Sequence, residues 1–174
     1  RSLVRPGRLV VVDEAFLDDH DQTLAEGELT GLLVIRSLTK LWSIPGVRAG
    51  YLVAEPTVVA GLAALQTPWS VSAAAAAALV ACSSEEAATE AMIRVDRIGA
   101  DREFLLAGLT KLGVPHVAAS TAPFVLAQPG PSVHQALREV GFALRRADTF
   151  SGLDDTWVRI AVRNREVTAR LLDA

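Results

Sequence analysis

The chain offers few free amines for chemistry. Lysine and arginine together number 17, and only two of them, Lys40 and Lys111, are lysines. Lys111 precedes Gly113 at the end of a predicted helix, where a cation complements the helix dipole. Lys40 instead follows the apolar run 32–35 after the short segment 36–39. The amine of Lys40 is therefore our candidate for a Schiff base with a carbonyl compound.

The side chains near this lysine suit a phosphate and a ring nitrogen. Ser37, Thr39 and Arg48 supply two hydroxyls and a guanidinium, which are good phosphate donors. Another apolar run ends at Asp13, and a buried carboxylate suits a cationic ring nitrogen. Ligands in open α/β sheets bind at the carboxyl ends of strands, so we expect these groups to meet. Together they describe a pyridoxal phosphate site, in which the carboxylate keeps the pyridinium protonated and the cofactor acts as an electron sink.

Short apolar runs at 9–12, 32–35 and 50–54 predict the strands that would position these groups. Runs without polar interruption are typical of strands buried on both faces, as in a parallel sheet. The polar stretch 18–31 predicts a crossover helix between the first two strands. That helix would complete a βαβ unit, and such units are nearly always right-handed.

The remaining sequence predicts connecting helices and a second, smaller unit. Thr57 is expected to cap a helix that ends near Leu65, and a helical pattern runs from Ser72 to Gly113 with a break at 83–84. Short strands and helices then alternate, with strands at 114–118, 123–127, 142–145 and 157–162, and helices at 132–140 and 166–172. The sequence thus predicts an α/β fold with a mostly parallel sheet, joined to a small α+β C-terminal domain. The expected domains are 1–70, 71–113 and 114–174.

The last predicted strand is rich in arginine. Because alternate residues of a strand share a face, Arg159 and Arg163 are expected on one face with Trp157, while the intervening aliphatic residues pack on the other. Two such arginines suit a substrate that carries both a carboxylate and a phosphate. Arg145 is a third candidate. For Arg145 and Arg163, an ordinary salt bridge is an equally good interpretation.

Two segments resemble motifs of a known family. Ser37-Leu38-Thr39-Lys40, with Pro45-Gly46-Val47-Arg48-Ala49-Gly50-Tyr51 behind it, resembles the lysine signature of class I/II aminotransferases of fold type I. Val11-Val12-Asp13-Glu14-Ala15-Phe16 resembles that family's pyridine-binding aspartate segment. Within the family, the chain is most similar to the histidinol-phosphate aminotransferase branch and to L-threonine-O-3-phosphate decarboxylase of cobalamin synthesis. The resemblance covers essentially the whole chain and aligns it with the C-terminal half of the family.

The resemblance implies a role for each matching cofactor residue. Lys40 would bind pyridoxal 5'-phosphate as a Schiff base and move the proton at the substrate α-carbon. Asp13 would pair with the ring nitrogen. Ser37 and Arg48 would hold the cofactor phosphate, with Thr39 forming a hydrogen bond beside them.

The resemblance also bears on the substrate. Arg159 would bind the substrate carboxylate, and Arg145 matches an arginine of the decarboxylase-like relatives. Phe16 is a departure from the aminotransferases, where a tyrosine usually forms a hydrogen bond with the cofactor's ring oxygen. The decarboxylase-like relatives often carry phenylalanine at this position, so Phe16 favours them.

The expected activity is transamination of a phosphorylated amino acid or amine such as histidinol phosphate, with threonine-phosphate decarboxylation as the alternative. The earlier half of the family, with its glycine-containing phosphate loop and its stacking aromatic residue, has no counterpart in this sequence. We therefore expect a fragment whose partners are the missing N-terminal half and, in the complete enzyme, a second copy. The non-catalytic alternative is a structural half that matters only in assembly with its complement.

Two other enzyme interpretations are weaker. The segment 11–14 also fits a Walker B motif, with Asp13 near magnesium, but the phosphate-binding Gly-x-x-x-x-Gly-Lys-[Ser/Thr] loop that such a site needs is absent from this sequence. His20, among Asp18, Asp19 and Asp21, suggests a metal site, although a solvated loop is the better interpretation. We therefore expect no metal.

Composition excludes several classes of protein. The net charge is −3, which argues against a basic nucleic-acid surface. With 51% hydrophobic and 21% charged residues, wholesale disorder is excluded. The apolar run 71–82 is shorter than the roughly 18 residues that a membrane span needs. The single cysteine, Cys82, excludes a disulfide framework and suggests a reducing compartment, so we expect a cytoplasmic protein.

Overall fold

A computed structural model describes residues 2–17 and 22–174. The elements in chain order are β1 (Val10–Asp13), β2 (Leu32–Ser37), α1 (Leu38–Leu41), a 3-10 turn (Pro45–Val47), β3 (Gly50–Ala54), α2 (Pro56–Leu65), α3 (Ala73–Ala81), α4 (Glu85–Lys111), β4 (Phe124–Ala127), α5 (Val133–Glu139), β5 (Arg145–Arg146), β6 (Val158–Ala161) and α6 (Arg165–Asp173). The metal-site interpretation around His20 falls outside the described residues. Within them, no helix has both the length and the hydropathy that crossing a membrane requires.

The chain divides into two compact units between Arg94 and Val95, inside α4. Each unit has its own three-stranded sheet. The mixture of sheets and helices agrees with the predicted α/β class. The three-part domain division at 1–70, 71–113 and 114–174 stays a prediction.

The sheet of the first unit has the order β1-β2-β3, with β1 parallel to β2. Its central strand is the most buried one: Leu32, Leu33 and Val34 are at most 6% exposed. A central strand in a packed sheet needs apolar residues on both faces, which is why an unbroken apolar run forms it. All three predicted strands of this unit are confirmed, but the predicted burial on both faces is wrong for β1 and β3, since Val11 is 57% and Tyr51 45% exposed.

β3 runs antiparallel to β2, in contrast to the mostly parallel sheet expected from the sequence. The connection between them contains only the one-turn α1 and the 3-10 turn, whereas a parallel return usually needs a full crossover helix. Gly50 begins β3 opposite Ser37, and a Cβ at this position would lie 2.9 Å from the carbonyl oxygen of Arg36. Glycine therefore permits this close pairing.

The predicted crossover helix at 18–31 is wrong for the part that the structure describes. Residues 22–31 form bends and turns without an α-helix. Gly27 and Gly31 have positive φ angles of 87° and 69°, which interrupt a helical path. The segment is instead held by the carboxylate of Glu14, which accepts hydrogen bonds from the Thr23 hydroxyl at 2.6 Å and from the Leu24 amide at 2.7 Å.

Serine caps mark the helices that follow. The Ser72 hydroxyl accepts from the Ala75 amide and begins α3, and the Ser84 hydroxyl accepts from the Ala87 amide and begins α4. The predicted break at 83–84 is therefore confirmed. The cap predicted at Thr57 is wrong, because α2 begins one residue earlier, at Pro56, whose fixed φ suits the first helical position.

In the second unit, an antiparallel sheet of order β4-β6-β5 packs one face on α4. The core of this unit comprises Leu105, Leu109, Val125, Ala127, Val158 and Ile160. The strand predictions at 123–127 and 157–162 are confirmed with shorter bounds. The two helices are also confirmed, with α5 shorter and α6 longer by one residue at each end than predicted.

Two strand predictions in this unit fail for local reasons. The segment 114–118 makes only an isolated bridge, between His116 and Ala127, because Pro115 has no amide hydrogen to extend the ladder. The segment 142–145 contributes only the start of the two-residue β5. The Phe142 amide donates to the carbonyl of Leu137 at 2.8 Å and so closes the end of α5.

We predict opposite effects for two glycines of α4. A Cβ at Gly108 would lie 2.2 Å from Cδ1 of Leu172 on α6, whereas the nearest atom to a Cβ at Gly99 is Nη2 of Arg102 at 3.9 Å. Gly99→Ala is expected to stabilise the chain by about 1 kcal/mol through helix propensity. Gly108→Ala is expected to be net destabilising, because overpacking costs about 1–3 kcal/mol. Urea unfolding measures both, and equal stabilisation by the two substitutions would contradict the packing of α6 on α4.

We also predict an acid-dependent contribution from Glu14. Its carboxylate is buried, which raises the pKa, but hydrogen bonds from Leu24, Thr23 and Arg36 and the charge of Arg36 outweigh burial and hold the pKa below its ordinary value of 4.5. A lowered folded-state pKa contributes stability above the unfolded-state value, and this is lost as pH falls through the folded-state pKa. At neutral pH, Glu14→Gln should cost about 3–5 kcal/mol, because it leaves Arg36 uncompensated.

The difference in unfolding free energy between the wild type and Glu14→Gln should shrink as pH falls below 4.5. Glu90→Gln is the matched control, since Glu90 forms an exposed ion pair with Arg94. Such pairs contribute roughly 0–1 kcal/mol. A Glu14→Gln effect that is equally small, or that does not change with pH, would contradict this assignment.

Candidate functional site

The lysine segment forms a small hydrogen-bonded turn directly after β2. Ser37 caps α1, and its hydroxyl accepts from the Thr39 amide at 3.3 Å. The Ser37 and Thr39 hydroxyl oxygens are 2.8 Å apart, and Nζ of Lys40 donates to the Thr39 hydroxyl at 3.2 Å. Thr39 is buried, at 5% exposed. The Ser37 hydroxyl and the Lys40 amine therefore both contact the hydroxyl of the buried Thr39.

Phe16 brings the end of β1 to this turn. Nζ of Lys40 lies 5.1 Å from the centroid of the Phe16 ring, a favourable cation–π distance. Asp13 ends β1 beside Ile35, and its carboxylate accepts from the Ala15 amide at 2.9 Å. Asp13 is exposed, in contrast to the buried carboxylate expected from the sequence. This local turn redirects the chain after the strand, so that Asp13 and Phe16 lie at the same end of the sheet as Lys40.

Arg48 follows the 3-10 turn in a left-handed conformation, with φ 57°. Its guanidinium donates to the carbonyl of Pro45 at 2.9 Å. The next residue, Ala49, accepts a hydrogen bond from the Leu38 amide at 3.2 Å, which attaches this turn to α1. Among the described residues, no carboxylate is within ion-pair distance of Arg48 or Lys40. Both cations are therefore available to an anionic ligand.

Glu14 and Arg36 were not identified as site residues from the sequence. They form an ion pair of 3.0 Å, and their side chains are only 4% and 14% exposed. The sequence does contain a signal for this pair, because Glu14 and Arg36, which have opposite charges, follow the apolar runs of β1 and β2. The pair lies where β1 and β2 end, and in the chain Glu14 directly follows Asp13 while Arg36 directly precedes Ser37.

Trp42 is a second residue that the sequence did not indicate. It ends α1, and its ring centroid lies 5.0 Å from the guanidinium carbon of Arg94 on α4. Arg94 is itself paired with Glu90 at 2.6 Å. This contact braces the short helix that carries Lys40, although no sequence spacing relates residues so far apart in the chain.

In the second unit, the structure places Arg145 directly opposite Arg159 in the β5–β6 pair. The two side chains therefore share the sheet face opposite to the core. The guanidinium carbon of Arg159 lies 4.7 Å from the centroid of the Phe124 ring on the adjacent strand.

The sequence predicted Arg163 on the same strand face as Arg159, but the structure does not place Arg163 in the strand. It lies beyond the end of β6, and its carbonyl accepts from the Thr168 hydroxyl of α6 at 3.0 Å. The alternation that grouped Arg163 with Arg159 stops where the strand stops. Its predicted role in substrate binding therefore stays a prediction without support from strand geometry.

Comparison with known proteins gives close relatives over nearly the whole chain. A histidinol-phosphate aminotransferase of Mycobacterium tuberculosis is 40% identical over 167 residues, which cover 93% of this chain and 46% of that protein. The chain thus spans about half the length of the curated relatives that it matches.

Solved structures share the fold. The histidinol-phosphate aminotransferase of Clostridium acetobutylicum aligns with a TM-score of 0.82 and 28% identity, over 95% of this chain and 52% of that one. The L-threonine-O-3-phosphate decarboxylase of Porphyromonas gingivalis aligns with a TM-score of 0.70 over 94% of this chain and 52% of that one. At 23% identity, this second likeness shows the fold alone.

The family description "Aminotransferase class I and II" matches residues 2–174. The lysine segment, the aspartate segment and the arginine-bearing strand all lie within that match. The chain therefore belongs to the class I and II aminotransferase family.

Proposed function

We propose that this chain is the lysine-bearing half of a pyridoxal-phosphate-dependent aminotransferase that acts on a phosphorylated amino acid or amine such as histidinol phosphate. One observation carries the proposal. The Lys40 amine is held by the Thr39 hydroxyl and lies over the Phe16 ring, at the end of the sheet where Asp13 also lies. Family membership supports it, because class I and II aminotransferases generally use pyridoxal phosphate.

The donor groups of this site fit that cofactor. Ser37, Thr39 and Arg48 would hold the phosphate, because they combine two hydroxyls with a guanidinium that has no carboxylate partner among the described residues. Asp13 would pair with the ring nitrogen, and Lys40 would bind the cofactor's carbonyl carbon. When bound, pyridoxal phosphate supplies an electron sink for a carbanion at the substrate α-carbon.

The residues of this chain would then perform three tasks. The Asp13 carboxylate would keep a proton on the ring nitrogen of the cofactor. The Lys40 amine would move the proton at the substrate α-carbon. Thr39 orients that amine through its hydroxyl, which is fixed by burial and by Ser37.

Arg145 and Arg159 are the proposed substrate-binding residues. Like charges directly opposite each other destabilise a strand pair, and a substrate that brings one anionic group to each arginine would relieve that repulsion. Arg159 would bind a substrate carboxylate and Arg145 a substrate phosphate. Arg163 stays a further candidate for the phosphate.

Decarboxylation of threonine phosphate is the second candidate, and Phe16 favours it. This side chain lies beside Lys40 and has no hydroxyl to donate to a cofactor ring oxygen. Transamination and decarboxylation differ in which bond at the substrate α-carbon is aligned for cleavage. Substrate orientation, rather than a different set of residues in this chain, would select between them.

The remaining half of a full-length enzyme is the proposed partner. From Pro56 to Ser84 the sequence contains no charged residue, and Leu65 and Trp69 in this stretch are 82% and 98% exposed. Exposed apolar surface of this kind marks an interface. The relatives are about twice as long as this chain. We therefore propose that the other half of the full-length enzyme packs against this surface. A homodimer of the complete enzyme stays a prediction, and the non-catalytic alternative is that this chain is inactive without its complement.

We predict that borohydride reduction will link pyridoxal phosphate to Lys40. In the complete enzyme, Lys40→Ala should abolish the labelled peptide, because the other lysine of this sequence, Lys111, lies at the end of α4. Lys111→Ala is the matched control and should leave labelling unchanged. Peptide mapping by mass spectrometry distinguishes the two positions. Labelling that persists on Lys111 in the Lys40→Ala variant would refute the proposed function.

We predict that Arg145 and Arg159 bind different anionic groups of the substrate. Lysine replaces a forked guanidinium poorly, so Arg159→Lys should weaken substrates that have a carboxylate and spare histidinol phosphate, which has none. Arg145→Ala should weaken phosphorylated substrates by about 1.5–3 kcal/mol, the scale of a charge-assisted hydrogen bond.

Arg163→Ala is the comparison for Arg145→Ala, because Arg163 lies outside the strand pair. The constant kcat/KM, measured with phosphorylated and unphosphorylated substrates, separates the two arginines. Arg163→Ala with the larger phosphate-specific loss would favour the grouping expected from the sequence over the cross-strand pair.

A further inference from the structure

We propose that the buried Glu14–Arg36 ion pair positions the candidate catalytic centre, by fixing the end of β1, with Asp13, relative to the end of β2, with Ser37 and Lys40. The inference rests on the proposed function, which gives Asp13 and Lys40 their roles. Glu14 and Arg36 are positioning residues, since they act through their neighbours.

The connectivity supports a local role. Glu14 directly follows Asp13, and Arg36 directly precedes Ser37. The Glu14 amide donates to the Ile35 carbonyl at 2.9 Å, and Nη1 of Arg36 donates to Oε2 of Glu14 at 3.0 Å. A backbone bond and a side-chain bond thus join the two strand ends immediately beside the proposed cofactor residues.

Two further donors hold the Glu14 carboxylate in place. Oε2 also accepts from the Thr23 hydroxyl, and Oε1 accepts from the Leu24 amide. With its side chain 4% exposed, the carboxylate can replace none of these partners with bulk water at low cost. If the pair is broken, we expect the strand ends and the 22–31 segment to rearrange together.

Because the pair is buried, breaking it is expected to displace the residues next to it. Arg36, at 14% side-chain exposure, cannot remain where it is without its counter-charge. Its displacement would move the backbone of Ser37, which caps α1 and contacts the Thr39 hydroxyl that holds Lys40. The predicted consequence is a local loosening of α1 that leaves the second unit unchanged.

The test compares Glu14→Gln, Arg36→Lys and the control Glu139→Gln, which changes an exposed carboxylate of α5. Arg36→Lys keeps the charge and is the milder variant, should Glu14→Gln fold poorly. Amide hydrogen exchange is measured on peptides 10–17, 22–31 and 35–42, with peptides from the second unit as an internal reference, at a temperature where circular dichroism shows each variant folded. The rate at which borohydride traps pyridoxal phosphate on Lys40 is then measured in the complete enzyme.

Both pair variants should exchange faster in peptides 10–17 and 35–42 and in the 22–31 segment, with no change in the second unit. They should trap the cofactor about tenfold to a hundredfold more slowly, the scale of a small misplacement of reacting groups. Glu139→Gln should match the wild type. Faster exchange throughout the chain, or unchanged trapping in Arg36→Lys, would overturn the positioning role. If the variants loosen locally but the wild type itself does not trap the cofactor, the ion pair does couple the strand ends. The proposed function would then be refuted.

Discussion

Glu14 and Arg36 place opposite charges in the interior, where β1 and β2 end. Removing two charges from water costs several kcal/mol per ion, and their attraction repays this only with good geometry and further hydrogen bonds. Those bonds come from Thr23 and Leu24. Residues 22–31 therefore fold around a carboxylate instead of forming a helix. The ends of both strands, residues 22–31 and the lysine turn all adjoin this one buried charge pair.

The second unit depends on close apolar packing instead of buried charge. Gly108 leaves room for Leu172, so that α6 approaches α4 closely. One face of the sheet packs on α4 and the other carries Arg145 and Arg159. A sheet with one covered face can present charged groups on its open face, and two facing arginines on that face are costly unless an anion binds between them.

The sequence allowed three enzyme interpretations: a nucleotide hydrolase, an aminotransferase and a decarboxylase. The chain belongs to the aminotransferase family, which removes the basis for a nucleotide hydrolase with Asp13 near magnesium. Transamination and decarboxylation share a fold, as the structural relatives show. The proposed cofactor groups of this chain serve either reaction, whereas Phe16 and Arg145 are the side chains that resemble those of the decarboxylase-like relatives.

The sequence by itself determined the elements whose signals are local. Apolar runs identified the three strands of the first unit, serines marked the starts of α3 and α4, and the lysine segment identified the family, because each depends on neighbouring residues. It did not determine what depends on partners far apart in the chain. Only the tertiary structure could replace the crossover helix with turns around Glu14, reverse β3, place Arg145 opposite Arg159 and leave Arg163 outside the strand. The physical reason is that hydrogen bonds, strand pairing and the solvation of buried charge are satisfied in three dimensions, where a distant side chain can outweigh local propensity.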